Sequence, residues 1–327
     1  RFPVWMMRQA GRFFSVYREL RSKHSFWESV TTPELATEIT LMPIRRYPLD
    51  AAILFSDILT LPYAMDVPIE LKESVGPVTT SPLRTLASFE RFSQFKPQNH
   101  TAYVNTALTK IRKEVPQDVA VLGFAGAPWT VATYLVEGKP SKNFENIKAW
   151  AYQDPEGLSK ALALLGKATL DYLTAQVEAG ADAVQVFDTW VSEVPKEFFG
   201  RYHCVLENLF AGLRARKIPT IYYARNSQHL IPKFMALSFD VLSVDAQLGL
   251  GEVDLMTGGR YSLQGNLDPV LLLKADAPTV RKHTRILVQE AQLLKRPAII
   301  NLGHGVLPGT PVENVEAFIT EARQAWI

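Results

Sequence analysis

The chain opens on Phe2-Pro3-Val4-Trp5-Met6-Met7-Arg8-Gln9-Ala10-Gly11-Arg12, an apolar run that ends in two arginines four residues apart with a glycine between them. The run has no helical period and reads as a buried strand. Gly11 lets the backbone turn or come close to something. Arg8 and Arg12 then stand at the mouth of whatever sheet this strand joins. Two guanidiniums in one loop suit the gripping of a carboxylate or phosphate, since each offers a planar pair of N–H donors. Surface arginines paired with acidic neighbours would show the same spacing, so the rest of the chain decides between the two.

Working outward from residues 2–7, seven more short apolar runs occur, at residues 51–55, 119–124, 183–187, 220–223, 241–244, 261–264 and 298–302. Most are continuous rather than alternating, as expected of parallel strands covered on both faces. Helical signals lie between them. Thr32-Pro33-Glu34 places a hydroxyl cap and a first-turn proline ahead of an apolar-periodic stretch to Tyr47. Asp154-Pro155-Glu156 opens a second helix in the same way, and Gly180 closes it before the next strand. Residues 195–216, 271–295 and 312–326 read as further helices. Eight cycles of strand and helix predict an α/β protein, a single (β/α)8 TIM barrel over residues 1–327. An open doubly wound sheet is the competitor, but the chain lacks a glycine-rich turn after its first strand. Gly249-x-Gly251 and Gly258-Gly259 read as turn residues in one loop between strands. Residues 62–99 are polar and rich in proline and serine, and predict an elaborated loop or small hairpin near the barrel mouth.

Composition narrows the function. The net charge is only +2, from 35 basic and 33 acidic residues without a block of like charge, which argues against nucleic acid or a membrane surface as partner. The single cysteine, Cys204, excludes an internal disulfide framework and a multi-cysteine metal site, and fits a reducing compartment. Its neighbour His203 points to a different face of the predicted helix, so the pair makes a poor metal site. No run reaches the ~18 apolar residues of a membrane helix. The N-terminus shows no signal or transit segment, and a short segment before Arg1 is expected. The cytosol is the expected location; a plastid stromal protein without its transit peptide would look the same.

Barrel active sites lie at the C-terminal ends of the strands, so the residues just past each run are informative. In order come Arg8 and Arg12; Ser56-Asp57; Ala127-Pro128-Trp129-Thr130 with Tyr134 a turn later; Asp188-Thr189-Trp190; Arg225-Asn226; Asp245; Gly265-Asn266; and Gly303-His304-Gly305. Asp57 reads equally as a helix cap or a catalytic carboxylate. Asp188 and Asp245 read as buried partners that position an arginine or a loop. Tyr134 reads as a core residue with one satisfied hydroxyl. His304 between two glycines is harder to explain by packing and reads as a ligand-facing imidazole. Guanidiniums, an imidazole, hydroxyls and one central carboxylate, without a nucleotide loop or metal cluster, suit a polyanionic small molecule and chemistry that needs no cofactor.

These stretches also carry a resemblance. Met7-Arg8-Gln9-Ala10-Gly11-Arg12, residues 48–59 around Phe55-Ser56-Asp57-Ile58-Leu59, Gly123-Phe124-Ala125-Gly126-Ala127-Pro128-Trp129-Thr130, Leu263-Gln264-Gly265-Asn266-Leu267-Asp268-Pro269 and Asn301-Leu302-Gly303-His304-Gly305 resemble, in order, the signatures of the uroporphyrinogen decarboxylase family. The resemblance covers essentially the whole chain. It implies a homodimeric barrel that converts four acetate side chains of a cyclic tetrapyrrole to methyls without a cofactor or metal. It implies that Asp57 accepts the inward pyrrole N–H groups and stabilises the protonated ring. Arg8 and Arg12 would bind acetate and propionate carboxylates, with Arg8 the nearer candidate for proton donor. An arginine is an awkward acid, so water and a substrate carboxyl stay open as proton sources. Tyr134 and Thr189 would contact carboxylates or the reacting pyrrole, with Tyr134 counted among the catalytic groups. His304, as imidazolium, would bind a propionate, and Gln9 and Ala10 would lend backbone N–H groups.

The chain departs from the family pattern at Thr189 for a serine, at Phe13-Phe14-Ser15 for a tyrosine-containing stretch, at Asp245-Ala246 for an Asp-Trp pair and at Met42 for a glutamine. A corrinoid-linked methyltransferase is the nearest rival reading, but it uses a zinc-binding His-x-Cys pair that this chain lacks. A tetrapyrrole carrier is the rival from another class.

Overall fold

The computed structural model describes residues 1–72 and 75–324. Its strands are β1 (Ala51–Ile53), β2 (Ile69–Lys72), β3 (Gly76–Thr79), β4 (Ala120–Gly126), β5 (Ala183–Asp188), β6 (Thr220–Ala224), β7 (Val241–Ser243), β8 (Ser262–Leu267) and β9 (Ala298–Leu302). Seven of them form one parallel sheet in the order β1-β4-β5-β6-β7-β8-β9. The opening run is not a regular strand. It joins the sheet by a single parallel bridge between Val4 and Ile300, and the Asp50 N–H donates to the Val4 carbonyl at 2.9 Å on its other side. Eight expected strands are therefore seven strands and one bridged segment, since Arg8 and the turn after it divert the backbone within a few residues.

Both faces of the sheet are covered, which is why the strands read as continuous apolar runs. Successive side chains point to opposite faces. On the outer face of β6, Tyr222 meets Phe210, Phe234 and Phe239 at ring-centroid distances of 5.1, 5.3 and 5.3 Å. On the inner face, Tyr223 packs with Trp5, Met7 and Leu122 in a small separate core. Beside that core the Trp5 indole donates to Gln264 Oε1 at 3.0 Å, and Gln264 Nε2 donates to Gln185 Oε1 at 3.1 Å and Ser243 Oγ at 2.9 Å. Buried amides need such partners, and these tie the opening segment to β5, β7 and β8.

Both proline-led helices form where the sequence places them, but the Thr32 hydroxyl makes no capping hydrogen bond and only Asp154 caps through its side chain. Pro33–Arg46 follows Thr32, and Pro155–Glu178 follows Asp154, whose carboxylate accepts from the Gly157 N–H at 2.9 Å. Gly180 follows that helix with φ +117, a conformation open to glycine. Gln176 docks the helix on β4 through both the N–H and the carbonyl of Phe124, at 2.8 and 3.0 Å. Two expectations need correction. Residues 271–295 are two helices, Pro269–Lys274 and Ala277–Gln292. Gly249 and Gly258 flank the helix Leu250–Thr257 instead of sharing one loop. Within residues 62–99 the small hairpin expected from the sequence is present as the antiparallel pair β2–β3, followed by short helices. The last helix is Val312–Gln324, and Trp326, expected within it, lies outside the described residues.

Aspartates hold the N-terminal end of the sheet, two of them paired with arginines. Asp50 accepts from the Val4 N–H at 2.8 Å and pairs with Arg1 at 2.7 Å and Arg323 at 3.0 Å. Asp182 accepts from the Val121 N–H at 2.7 Å and pairs with Arg112 at 2.9 Å. Asp240 accepts from the Thr220 N–H at 2.9 Å.

Candidate active site

At the opposite end, the loop that carries Arg8 and Arg12 is fixed through its backbone. The Met7 N–H donates to Asn301 Oδ1 at 3.1 Å, and the Val306 N–H donates to the Met7 carbonyl at 2.9 Å. Gln9 is buried, its amide accepting from the Met6 N–H at 3.1 Å and donating to the Ala51 carbonyl at 2.9 Å. Its own N–H is taken by the Met6 carbonyl at 3.0 Å, so it is already spent, against the expectation that it serves a ligand. Arg8 itself sits at φ +60, a left-handed conformation that costs a non-glycine residue about 1 kcal/mol or more. Both arginine side chains are exposed, and neither has an ion pair or hydrogen bond among the described residues.

Asp57 follows β1 and is half-buried. One carboxyl oxygen accepts from the Leu59 N–H at 2.8 Å, and its own N–H donates to Thr60 Oγ1 at 3.1 Å. The turn-forming role is therefore present, but it occupies one oxygen and leaves the other unclaimed among the described residues. Loss of solvation raises the pKa of this carboxyl, and the Leu59 N–H and the Arg8 charge oppose the rise.

Tyr134 lies on the helix Pro128–Glu137 that follows β4. Its ring is 6.3 Å from that of Trp190. Burial raises the phenol pKa, and it feels the charges of Asp57, Arg8 and Arg225. Thr189 and Trp190 are held by the end of β5. Buried Asp188 accepts from Thr130 Oγ1 at 2.6 Å, Tyr202 OH at 2.5 Å and Tyr222 OH at 2.9 Å, while Thr130 accepts from the Trp190 N–H at 3.1 Å. Desolvation lifts Asp188 to about 6 against the pull of those three hydroxyls. It positions a loop, as one of its two sequence readings has it, and no arginine. Asp245 does the same for the next loop, accepting from the N–H groups of Asn226 at 2.5 Å and Gln247 at 3.0 Å.

His304 stacks on Tyr223 with ring centroids 6.0 Å apart, and the Tyr223 hydroxyl is 3.4 Å from Nδ1. Burial, then the charges of Arg8 and Arg225, push its pKa down to about 4. Burial first, and then the two neighbouring guanidiniums, thus disfavour in the ligand-free protein the imidazolium expected from the sequence. The flanking glycines are there for close approach. A Cβ on Gly303 would lie 2.4 Å from the Ala246 nitrogen, and one on Gly305 would lie 2.4 Å from Arg8 Cδ. Ala246, where the family pattern has tryptophan, thus packs directly under the histidine turn.

The structure brings Arg8, Asp57, Tyr134 and His304 into one electrostatic neighbourhood, with Arg12 joined to it through buried Tyr17. Thr189 is half-buried beside Trp190. Sequence reasoning passed over Arg225 as a site residue, although it is the first polar residue after β6; it also missed Tyr223 and Trp190. Among the described residues no group of three His, Cys, Asp or Glu side chains could hold a metal, and Cys204 is exposed on the helix Phe199–Ala215.

The family described as uroporphyrinogen decarboxylase (URO-D) matches residues 1–325. A uroporphyrinogen decarboxylase of Alkalilimnicola ehrlichii is 40% identical over 332 residues, covering 99% of this chain and 90% of that protein. One from Thermosynechococcus vestitus is 39% identical, covering 96% of this chain and 92% of that protein. Among solved structures, a methyltransferase from Methanosarcina mazei superposes with a TM-score of 0.81 over 100% of this chain and 95% of its own, at 22% identity, a likeness of fold alone. Family match and full-length identity agree with the order of motifs, and the chain belongs to the uroporphyrinogen decarboxylase family.

Proposed function

We propose that this chain removes the acetate carboxyl groups of uroporphyrinogen to give coproporphyrinogen and carbon dioxide. The observation that carries the reading is one desolvated carboxylate, Asp57, with one oxygen unclaimed and under the charge of Arg8, while Arg8 and Arg12 have no carboxylate partner among the described residues. The substrate is a ring of four pyrroles with eight carboxylates on its rim and four N–H groups at its centre. It offers anions to the arginines and N–H donors to Asp57.

The chemistry needs an electron sink, and the pyrrole supplies it. A proton added to a ring carbon makes the ring cationic. The bond between the methylene and its carboxylate breaks, its electron pair enters the ring, and carbon dioxide leaves. A proton added to the methylene completes the methyl group, and the ring carbon returns its proton. One proton is consumed for each carboxylate lost. Asp57 stabilises the cationic ring by accepting its N–H groups, a preorganised electrostatic effect worth about 3–4 kcal/mol. Arg8 binds the reacting acetate, and Arg12 and the Ala10 N–H hold other rim carboxylates. A guanidinium gives up its proton with great difficulty, so the proton reaches the methylene from water or a neighbouring carboxyl. The Tyr134 phenol, kept protonated by burial, and the Thr189 hydroxyl donate to carboxylates. Neutral His304 does so as a hydrogen-bonding ring and not as a cation.

The same reading takes the chain as one domain in which the opening segment closes the sheet into an eight-stranded barrel. The Val4–Ile300 bridge and the Asp50–Val4 hydrogen bond support it. It takes the protein as a cytoplasmic homodimer that binds neither membrane nor nucleic acid; among the described residues no helix is long and apolar enough to cross a membrane. The deciding experiment is an anaerobic incubation with uroporphyrinogen, the products being oxidised and separated by carboxylate number. Stepwise appearance of species with seven to four carboxylates is the expected result. Tight binding without carboxylate loss would favour a carrier and overturn the assignment. Sedimentation equilibrium tests the dimer.

A further inference from the structure

The sheet order puts β6 four positions from the opening segment whichever way the sheet is followed, through β1, β4 and β5 or through β9, β8 and β7. Arg225 is the residue that leaves β6, so it enters the cleft from the side opposite Arg8 and Arg12. Its backbone is fixed on both sides. Its N–H points to the Asp188 carbonyl at 3.5 Å, and the next N–H, of Asn226 at φ +50, donates to Asp245 Oδ2 at 2.5 Å. Asp188 and Asp245 thus hold the loop from beneath without reaching the guanidinium. The Arg225 side chain is half-buried and has no ion pair or hydrogen bond among the described residues. Its charge acts on Tyr134, Tyr223 and His304, the same three rings that Arg8 acts on from across the cleft. A partly desolvated cation without a counter-ion is costly, and an anion placed beside it offsets that cost.

We infer that Arg225 is a third carboxylate-binding residue, which grips the rim of the substrate on the side facing away from Arg8 and Arg12. The inference rests on the proposed substrate being a ring with carboxylates on all sides. Such a ring held by one edge would pivot; held by cations on opposite walls, its centre is fixed over Asp57. Neutral His304 then serves as a hydrogen-bonding partner beside Arg225, and the guanidinium supplies the positive charge on that wall.

The test compares the full-length wild type with Arg225→Gln and Arg225→Lys. The first readout is kcat and KM for uroporphyrinogen. The second is equilibrium binding of coproporphyrin and of its tetramethyl ester. Losing a charge-assisted hydrogen bond predicts an Arg225→Gln KM and coproporphyrin Kd raised by about ten- to a hundredfold. The change in kcat should be smaller, Lys should restore part of the affinity, and ester binding should be unchanged. The His304 imidazole, followed by NMR, should titrate at higher pH in Arg225→Gln. Wild-type KM and Kd in a folded Arg225→Gln protein would overturn the inference alone. An equal loss of ester binding would overturn it too, as a packing effect. A wild type that neither binds nor turns over these tetrapyrroles would overturn the substrate reading and this inference with it.

Discussion

The two ends of the sheet carry similar residues and use them in opposite ways. At the N-terminal end, Asp50 and Asp182 each accept a strand N–H and pair with arginines at 2.7–3.0 Å. At the C-terminal end, among the described residues, Arg8, Arg12 and Arg225 have no carboxylate partner and Asp57 keeps one oxygen free. Pairing satisfies a charge and holds the fold. An unpaired charge held in place by its backbone costs stability and waits for a ligand. The loops at the working end are accordingly fixed by main-chain bonds and by buried Asp188 and Asp245, and the functional side chains are left uncommitted.

The sharpest way to break this contrast is Asp57→Ala. Removing the desolvated carboxylate should lower kcat by about a hundred- to a thousandfold and leave the melting temperature at or above that of the wild type. A variant with near-normal turnover in the anaerobic assay would remove Asp57 from the mechanism. Arg8→Gly should raise KM about tenfold or more by loss of a charged hydrogen bond. Its stability should stay within about 1 kcal/mol of wild type, because glycine adopts the left-handed φ without strain. A large loss of stability in urea unfolding would mean that Arg8 holds the fold after all. Asp50→Ala is the mirror image. It should cost about 1–3 kcal/mol of stability through an orphaned strand N–H and two unpaired arginines, with kcat/KM unchanged; altered kinetics would contradict the division between the two ends.

The smallest effects concern pH. Asp188 titrates near 6 when folded and near 3.8 when not, so between about 4 and 6 the native state binds the extra proton. This group therefore lowers stability as pH rises through that window. His304 titrates near 4 when folded against 6.5, so the unfolded state binds the extra proton, and this group raises stability as pH rises from about 4 to 6.5. Thermal melts at pH 4.5 and 7 should show a larger gain with pH in Asp188→Asn and a smaller one in His304→Asn. Unchanged slopes would mean that neither group is perturbed as described.

Much of this was legible in the sequence. The strands show as apolar runs because the sheet is covered on both faces, and Asp154-Pro155 announces its helix through a local bond. The break inside residues 271–295 has one local sign, the Asp276 cap with Pro278 in the next turn. Its other support is distant: the Asn314 side chain donates to the carbonyls of Leu272 and Ala275 at 2.9 and 2.8 Å from the last helix. In the site, Arg8, Asp57 and His304 stand out as polar residues at the ends of apolar runs. Arg225 stands at such an end too, but nothing beside it in the chain marks it, because what distinguishes it is the missing partner.

The sequence by itself determined the strand and helix alternation, the end of the sheet where polar residues gather and the family, since these rest on neighbouring residues and on motif order. The tertiary structure alone decided which charges are paired, that the Gln9 N–H is spent within its own turn and that burial pushes the His304 pKa down. It also left Arg225 without an ion pair among the described residues. Apart from the Gln9 turn, whose geometry is local but set by the buried amide bonds around it, these depend on the desolvation and distance of groups brought together from strands far apart in the chain, and no local pattern carries either quantity.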